Sequence, residues 1–220
     1  MVETARGVVL RTRPLTETSL IVHWLTPNLG RLATVAKGAR RPKSPFVGKL
    51  DIFYLADFSF SRSRRSELHV LREITLRDTH SFLRRDLGYL QQAAYCVRLI
   101  EQTTETETPL PGLHELLIGL LQALPDQACQ QRTVLAFELK LLNELGLQPD
   151  LTQTGLRTET QTLARELARG EWRNLSQLPV EHGSENDLTH YLRRFLLHHL
   201  GRIPKGREHA IGTGVPGKGD

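Results

Sequence analysis

The residues of this chain best suited to chemistry form a run of cations with no carboxylates between them. Between Glu17 and Asp51 the sequence contains no acidic residue. Six basic residues fall within that interval: Arg31, Lys37, Arg40, Arg41, Lys43 and Lys49. Unpaired cations on a loop with Gly and Pro repel one another, and a polyanion relieves this repulsion while it releases condensed counterions. The pattern therefore predicts a nucleic-acid-binding loop, with a merely solvated, solubilising loop as the alternative.

The net charge of the chain is concentrated at one end. Residues 1–80 contain 14 Lys and Arg against 7 Asp and Glu, whereas the remaining residues contain 15 against 17. This asymmetry predicts two modules with different partners. No apolar run approaches the roughly 18 residues of a membrane span, and the N-terminus lacks an apolar signal-peptide core. Because the two cysteines form no disulfide framework, we expect a soluble protein of a reducing compartment such as the cytoplasm.

The first third of the sequence has the pattern of short β-strands separated by turns. Runs rich in β-branched and aromatic residues alternate with Gly, Pro, Asn and Ser. The expected strands cover residues 7–13, 19–26, 31–36, 50–61 and 67–76. Five strands within about 75 residues are typical of a small closed or partly open barrel.

Two other features of this predicted barrel suit nucleic acid. The expected hairpin tip between the last two strands carries Arg62, Arg64 and Arg65. Aromatic rings on barrel faces stack on bases, and each base contributes about 1–3 kcal/mol. Most aromatic residues of this module are expected in the core, but Phe46, within the basic loop, and Tyr54 are expected to be exposed.

From Asp78 onward the apolar residues recur with the period of a helix. Several such stripes follow one another up to Gly201, separated by prolines, glycines and polar runs. The predicted fold class is therefore α+β with two domains, a five-stranded barrel over residues 1–78 and an all-helical domain over 79–200. Residues 201–220 are poor in apolar side chains and are expected to form a flexible tail.

Catalytic and metal-binding motifs are missing from the sequence. Gly212, Gly214 and Gly217 spell G-x-G-x-x-G, but no strand precedes them and no helix follows, so a phosphate cradle is not expected. Cys96 and Cys129 lie in different predicted helices without a C-x-x-C pair, which favours two buried small residues over a zinc site. The sequence therefore predicts a protein that is not an enzyme and has neither a metal nor a cofactor.

Two separated motifs resemble one known family. Residues 13–20, Gly30-Arg31 and the segment Val35-Ala-Lys-Gly-Ala-Arg-Arg-Pro-Lys-Ser44 resemble the N-terminal domain of the RecO family of bacterial recombination mediators. The segment Phe137-Glu-Leu-Lys-Leu-Leu-Asn-Glu-Leu-Gly146 resembles the signature helix of the family's second domain. The resemblance implies an N-terminal OB-fold (oligonucleotide-binding fold) and an all-helical C-terminal domain. It also implies binding to single- and double-stranded DNA, annealing of complementary strands, and loading of RecA with RecR onto DNA coated by the single-stranded-DNA-binding protein SSB.

The sequence departs from the family after the signature helix. Many members carry four zinc-binding cysteines there, whereas Leu151-Thr-Gln-Thr-Gly155 contains none, so the chain resembles the metal-free branch. In relatives the helical domain also receives the acidic, apolar C-terminal tail of SSB. The resemblance makes Arg132, Arg193 and Arg194 candidates for that contact, and an ordinary helix-surface arginine is the alternative for each.

Other classes of function remain compatible with the charge pattern. An RNA-binding barrel would carry the same cations, so a competition between DNA and RNA is needed to separate the two. A protein-only adaptor is another possibility, in which the basic loop recognises an acidic tail. An enzyme would require a convergent acid–base or metal group that the sequence does not show.

Overall fold

A computed structural model describes residues 2–127 and 129–212 of the chain. Its contacts divide the chain into two compact units. The barrel unit consists of residues 1–81 and 104–115, and the helical unit of residues 82–103 and 116–220. The barrel unit therefore differs from the expected domain 1–78, because residues 104–115 also belong to it.

Five strands form the barrel unit: β1 (Val2–Pro14), β2 (Leu20–Thr26), β3 (Gly30–Ala36), β4 (Leu55–Ser61) and β5 (Leu68–Asp78). They pair in the order β1-β2-β3-β5-β4, and β4 pairs again with β1, so that the sheet closes into a barrel. Only the β3–β5 pairing is parallel among these five strands. The five-stranded barrel expected from the sequence is confirmed.

The barrel interior is filled by aromatic and branched side chains that alternate along the strands. Trp24 stacks on Phe58, with ring centroids 4.1 Å apart. The indole N–H of Trp24 donates to Oγ1 of Thr34 at 2.9 Å, which satisfies the polar group of a fully buried ring. A register shift at Ser59/Phe60 in the β4–β5 pairing leaves Arg72 as an extra residue of β5, so that the buried positions change from His69 and Leu71 to Ile74.

Residues 104–108, here called the return segment, lie against the start of β3. The backbone N–H of Glu107 donates to the carbonyl of Arg31 at 2.7 Å. Gly30 has a φ of 64°, and a Cβ atom at this position would lie 2.1 Å from the carbonyl oxygen of Thr108. Only glycine fits this close approach, which gives a structural reason for the Gly30-Arg31 pair.

Six α-helices are described: α1 (Leu87–Thr103), α2 (Pro111–Ala123), α3 (Gln131–Glu144), α4 (Thr158–Arg169), α5 (Ser184–Leu200) and α6 (Arg207–Ala210). Short 3-10 helices cover Ser81–Arg84, Leu124–Asp126, Leu151–Gln153 and Trp172–Gln177. Within the helical unit, α3, α4 and α5 pack around a core made largely of leucine. No helix of the described ranges is long and apolar enough to cross a membrane.

Two expectations for the helical part differ from the structure. Helix α6 lies within the expected flexible tail, and Arg207 in it is buried. Residues 213–220, with the last two glycines of the G-x-G-x-x-G pattern, lie outside the described residues. Cys96 is buried as expected, but Cys129 is exposed, because it precedes α3 in an extended stretch rather than within a helix.

Candidate nucleic-acid interface

The basic loop, residues 37–49, is a chain of hydrogen-bonded turns between β3 and β4. The backbone N–H of Arg41 donates to the carbonyl of Gly38 at 3.0 Å, and the N–H of Ser44 to the carbonyl of Arg41 at 3.0 Å. Gly38 has a φ of 68°, which glycine adopts without steric cost. The backbone of the loop is therefore held in a defined path by these turns.

The loop is anchored to the barrel by its apolar side chains. Phe46 and Ala39 are buried in the same core cluster as the barrel interior. The expectation that Phe46 is an exposed stacking ring is wrong, because burying this ring is worth about 1.5–3 kcal/mol and fixes the loop on the barrel. Tyr54 is half-buried against the same cluster. The backbone N–H of Arg40 adds a bond of 2.9 Å to the carbonyl of Thr18.

Four cations project from this anchored backbone into solvent. Lys37, Arg40, Arg41 and Lys43 are all exposed, whereas Lys49 is half-buried. Within residues 2–127 and 129–212, none of the four exposed side chains forms an ion pair with a carboxylate. Because the backbone is already ordered, an anion that binds here has to order only the side chains and not the loop itself.

Two predicted phosphate ligands are instead occupied within the barrel unit. Nε of Arg31 donates to Oγ1 of Thr104 at 2.6 Å, and its guanidinium also donates to the Thr104 carbonyl. Nε of Arg62 lies 2.6 Å from Oε1 of Glu3, and its Nη1 lies 2.9 Å from Oε2 of Glu107. The bond to Arg62 lowers the pKa of Glu3, so the pair is charged at neutral pH. These two arginines therefore hold the return segment and β1, and the expectation that they bind phosphate stays a prediction.

The return segment also binds a buried histidine next to the hairpin. The backbone N–H of Ser63 donates to Nδ1 of His69 at 3.3 Å, which assigns the ring proton to Nε2. Nε2 lies 2.5 Å from Oε1 of Glu107. The base of the β4–β5 hairpin is thus fixed, while Arg64 and Arg65 at its tip are exposed. These two remain candidates for phosphate contacts.

The face formed by β1 and β2 carries further cations, which the sequence analysis missed. His23 pairs with Arg11 across these strands. Burial, together with the positive charges of Arg11, Arg13 and Arg31, lowers the pKa of His23 to about 4. The alternation of arginines along predicted strand 7–13 was the available sequence signal, since alternate residues of a strand share a face.

The three candidate partner residues of the helical unit have different surroundings. Nη2 of Arg132 lies 2.9 Å from Oε1 of Glu185, and its Nη1 donates to the carbonyl of Leu175 at 3.1 Å. Its half-buried side chain is 17 % exposed and already holds Glu185 and the Leu175 carbonyl, and its expected contact with an acidic tail stays a prediction. Arg193 and Arg194 are exposed on α5.

A small cavity between α3, the 148–152 loop and α4 was not predicted. Its volume is about 170 Å³. Its apolar lining includes Leu139, Leu151, Ala164 and Ala168. The exposed arginines Arg165 and Arg169 also line it, as does Asp150, whose carboxylate accepts bonds from Thr152 and Gln153. An apolar cavity beside two guanidinium groups can take an apolar side chain next to a carboxylate. The i, i+4 spacing of the two arginines was the available sequence signal.

Comparison with known proteins places both parts of the chain in one family. The model described as "Recombination protein O N terminal" matches residues 1–80, and "Recombination protein O C terminal" matches residues 84–162. The "DNA repair protein RecO" of Alkaliphilus metalliredigens is 34% identical over 147 residues, which are 66% of this chain and 59% of that protein. The protein of the same name from Rhodopirellula baltica is 32% identical over 143 residues, 65% of this chain and 53% of its own length. The protein of this name from Exiguobacterium sibiricum is 31% identical over 151 residues, which are 69% of this chain and 60% of that protein.

The chain therefore spans between 53% and 60% of the length of these relatives. The two family models follow each other in the order of the barrel and the helical region, and the barrel is an OB-fold. On this evidence the chain belongs to the RecO family.

Proposed function

We propose that this chain is a recombination mediator in DNA repair. In this proposal the barrel unit binds single- and double-stranded DNA and promotes annealing of complementary strands, and the protein acts with RecR to load RecA onto SSB-coated DNA. The observation that carries the proposal is the basic loop, with four exposed cations on an ordered backbone. The names of the matching relatives support a role in DNA repair. Annealing and loading require binding alone, so the proposed role is not catalytic.

The basic loop suits phosphate groups for an electrostatic reason. Each phosphate that a Lys or Arg neutralises releases condensed counterions, and the observed affinity therefore falls as salt rises. Four contacts to a single strand correspond to a slope of about −2.8 in a plot of log K against log salt. Arg64 and Arg65 at the hairpin tip, and the half-buried Lys49, can add to this value.

A charge-matched pair of variants tests the loop. R40A/R41A removes two loop cations, and R165A/R169A removes two exposed cations of the helical unit. Fluorescence anisotropy with a labelled DNA strand across a salt series should show weaker binding and a slope flatter by about 1.4 for R40A/R41A alone. Competition with an RNA strand of the same sequence measures the preference for DNA. Wild-type affinity and slope in R40A/R41A and in the fourfold variant K37A/R40A/R41A/K43A would contradict the proposal.

We also propose that the helical unit receives the acidic C-terminal tail of SSB at the cavity beside Arg165 and Arg169. In this proposal the cavity binds the apolar C-terminal side chain of the tail, and the two guanidinium groups bind its carboxylate. This position replaces Arg132, which is already paired with Glu185. R165A/R169A should weaken binding of a labelled tail peptide by about tenfold or more, while it leaves DNA binding unchanged. Equal peptide affinity in wild type and variant would exclude this cavity.

A further inference from the structure

A second stretch without acidic residues lies near the other end of the chain. From Leu188 to Arg207 the sequence contains no Asp or Glu. The basic residues of this stretch are Arg193, Arg194, Arg202, Lys205 and Arg207, accompanied by His190, His198 and His199. Only Arg207 among the five Lys and Arg side chains is buried. The other four cations lie on the surface of the helical unit.

Helix α5 has one buried face and one cationic face. Leu188, Leu192 and Leu196 are fully buried in the leucine core. Five exposed residues follow the i, i+3, i+4, i+7, i+8 spacing of a single opposite face: His190, Arg193, Arg194, Leu197 and His198. Helix α5 ends at Gly201 with a φ of 71°, and the exposed Arg202 and Lys205 follow directly. Exposed cations therefore continue along the chain beyond the helix end.

The cations of this face have no carboxylate partner within the described part of the chain. The nearest acidic residue along α5, Asp187, is held by Arg157 at 2.7 Å. Arg193, Arg194, Arg202 and Lys205 form no ion pair among residues 2–127 and 129–212. Such a concentration of unpaired positive charge on one face is complementary to an extended polyanion.

The shape of this face favours a phosphate backbone over a protein tail. Arg193 and Arg194 are neighbours on the helix face, and Arg202 and Lys205 follow beyond the helix end, so the cations are spread along the chain rather than gathered around one pocket. The cavity described above, which can hold an apolar side chain, is lined by α3, α4 and the 148–152 loop and by no residue of α5. Arginine guanidinium groups bind phosphate oxygens in bidentate fashion, which a row of phosphates can satisfy repeatedly.

We propose that the α5 surface, made of Arg193, Arg194, His198, Arg202 and Lys205, is a second nucleic-acid-binding surface that holds a second strand by its phosphates. This inference rests on the proposed function, in which the basic loop holds the first strand. Annealing is faster when one protein carries both strands, because the encounter then occurs at a high effective concentration. The α5 surface supplies the second attachment that such a mechanism requires.

A strand-bridging experiment tests the proposal. Two non-complementary oligonucleotides, one with a donor and one with an acceptor fluorophore, are mixed with the full chain, and energy transfer reports complexes that hold both. R193A/R194A/R202A should bind a single oligonucleotide within about twofold of wild type and lose bridging by about tenfold. R85A/R173A, which removes two exposed arginines of the same unit outside both proposed surfaces, should retain bridging. Thermal unfolding followed by circular dichroism checks that each variant is folded.

The outcomes separate the two proposals. Wild-type bridging in R193A/R194A/R202A would overturn the second surface, even if the loop variants confirm the first. A wild-type chain that binds one strand and never bridges would overturn it as well, while the proposed function stands. If the variant loses affinity for the SSB tail peptide and keeps bridging, the α5 surface is a protein-binding site and the proposal is wrong. If the wild-type chain binds no DNA at all, the proposed function itself fails.

Discussion

Arg207 forms a bidentate ion pair with Glu138, from which it is separated by 69 residues in the chain. Nε and Nη2 of Arg207 lie 2.7 and 2.8 Å from the two carboxylate oxygens, and the hydroxyl of Tyr95 donates to Oε1 of Glu138 at 2.5 Å. All three side chains are buried. Burial and the Glu138 charge raise the pKa of Tyr95 well above its ordinary value, so Tyr95 remains a donor. The Glu of the signature helix thus binds α6 to the helical core.

This relationship predicts a large effect of removing Arg207. R207A leaves a buried carboxylate without its cation, which should lower the free energy of unfolding by about 3–5 kcal/mol. Urea unfolding followed by helical circular dichroism measures the loss. K205A removes an exposed cation two residues earlier and should change stability by less than about 0.5 kcal/mol. E138L/R207L should be more stable than R207A, because neither charge is then buried alone. Equal stability of R207A and K205A would show that the pair contributes little.

The sequence predicted the features that depend on local pattern. The strands follow from β-branched runs, and the loop cations were found because no carboxylate lies near them in the sequence. The ion pair between Arg62 and Glu107 was not predictable, because Glu107 lies 45 residues later in the chain, in the return segment. The prediction that Phe46 is exposed was wrong for a related reason. Whether an aromatic ring in a loop is exposed depends on how the loop packs on the barrel, and this packing is a tertiary contact. The half-buried Arg132 likewise has its carboxylate partner, Glu185, on α5, far along the chain.

The anchored geometry of the basic loop predicts that Phe46 affects DNA binding without touching DNA. F46A removes a ring that is 6 % exposed, at a cost of about 3–5 kcal/mol in the free energy of unfolding. DNA affinity should fall because the loop must then be ordered on binding, while the salt slope stays near the wild-type value since the cations remain. Calorimetry and the anisotropy salt series measure the two effects.

The neighbouring residue provides the control for this prediction. Val47 is 55 % exposed, so V47A should leave stability within about 0.5 kcal/mol of wild type. F46L, which keeps an apolar side chain in the core, should recover part of the affinity. A DNA affinity of F46A equal to that of V47A would mean that loop order does not contribute to binding.

In the barrel, Asp57 forms ion pairs with two arginines, and their contribution to stability depends on pH. Asp57 accepts bonds of 2.6 Å from Nε of Arg6 and 2.6 Å from Nε of Arg77, and so joins β4 to both of its neighbours. The bond from Arg6, followed by that from Arg77, lowers the pKa of Asp57 to about 2. A carboxyl whose folded pKa is lowered stabilises the fold above its ordinary pKa of 3.8, and this contribution is lost as pH falls toward 2.

D57N should therefore remove one part of the acid dependence of stability. Because the three side chains are partly exposed, we expect a difference of about 1 kcal/mol at neutral pH. Urea unfolding of wild type and D57N at a series of pH values should give curves that converge as pH approaches 2. Curves that stay parallel down to that pH would show that the ion pairs of Asp57 do not stabilise the barrel.

The pKa of His23 should respond to anions that bind near β1 and β2. Its pKa of about 4 reflects burial and the charges of Arg11, Arg13 and Arg31. A histidine with a lowered pKa gives its full contribution to stability above the ordinary value of 6.5, and this contribution is lost as pH falls toward 4. If bound DNA passes over this face, its phosphates should raise the pKa of His23 by about one unit or more.

Nuclear magnetic resonance of the imidazole nitrogens, with and without a DNA strand, measures that shift. R13A provides a matched control, since removal of a nearby cation should raise the pKa of His23 in the free protein as well and reduce the further rise on DNA binding. The same measurement in K37A/R40A/R41A/K43A shows whether the loop directs DNA onto this face. A pKa of His23 that is equal with and without DNA would confine the path of the strand to the basic loop and the hairpin tip, away from β1 and β2.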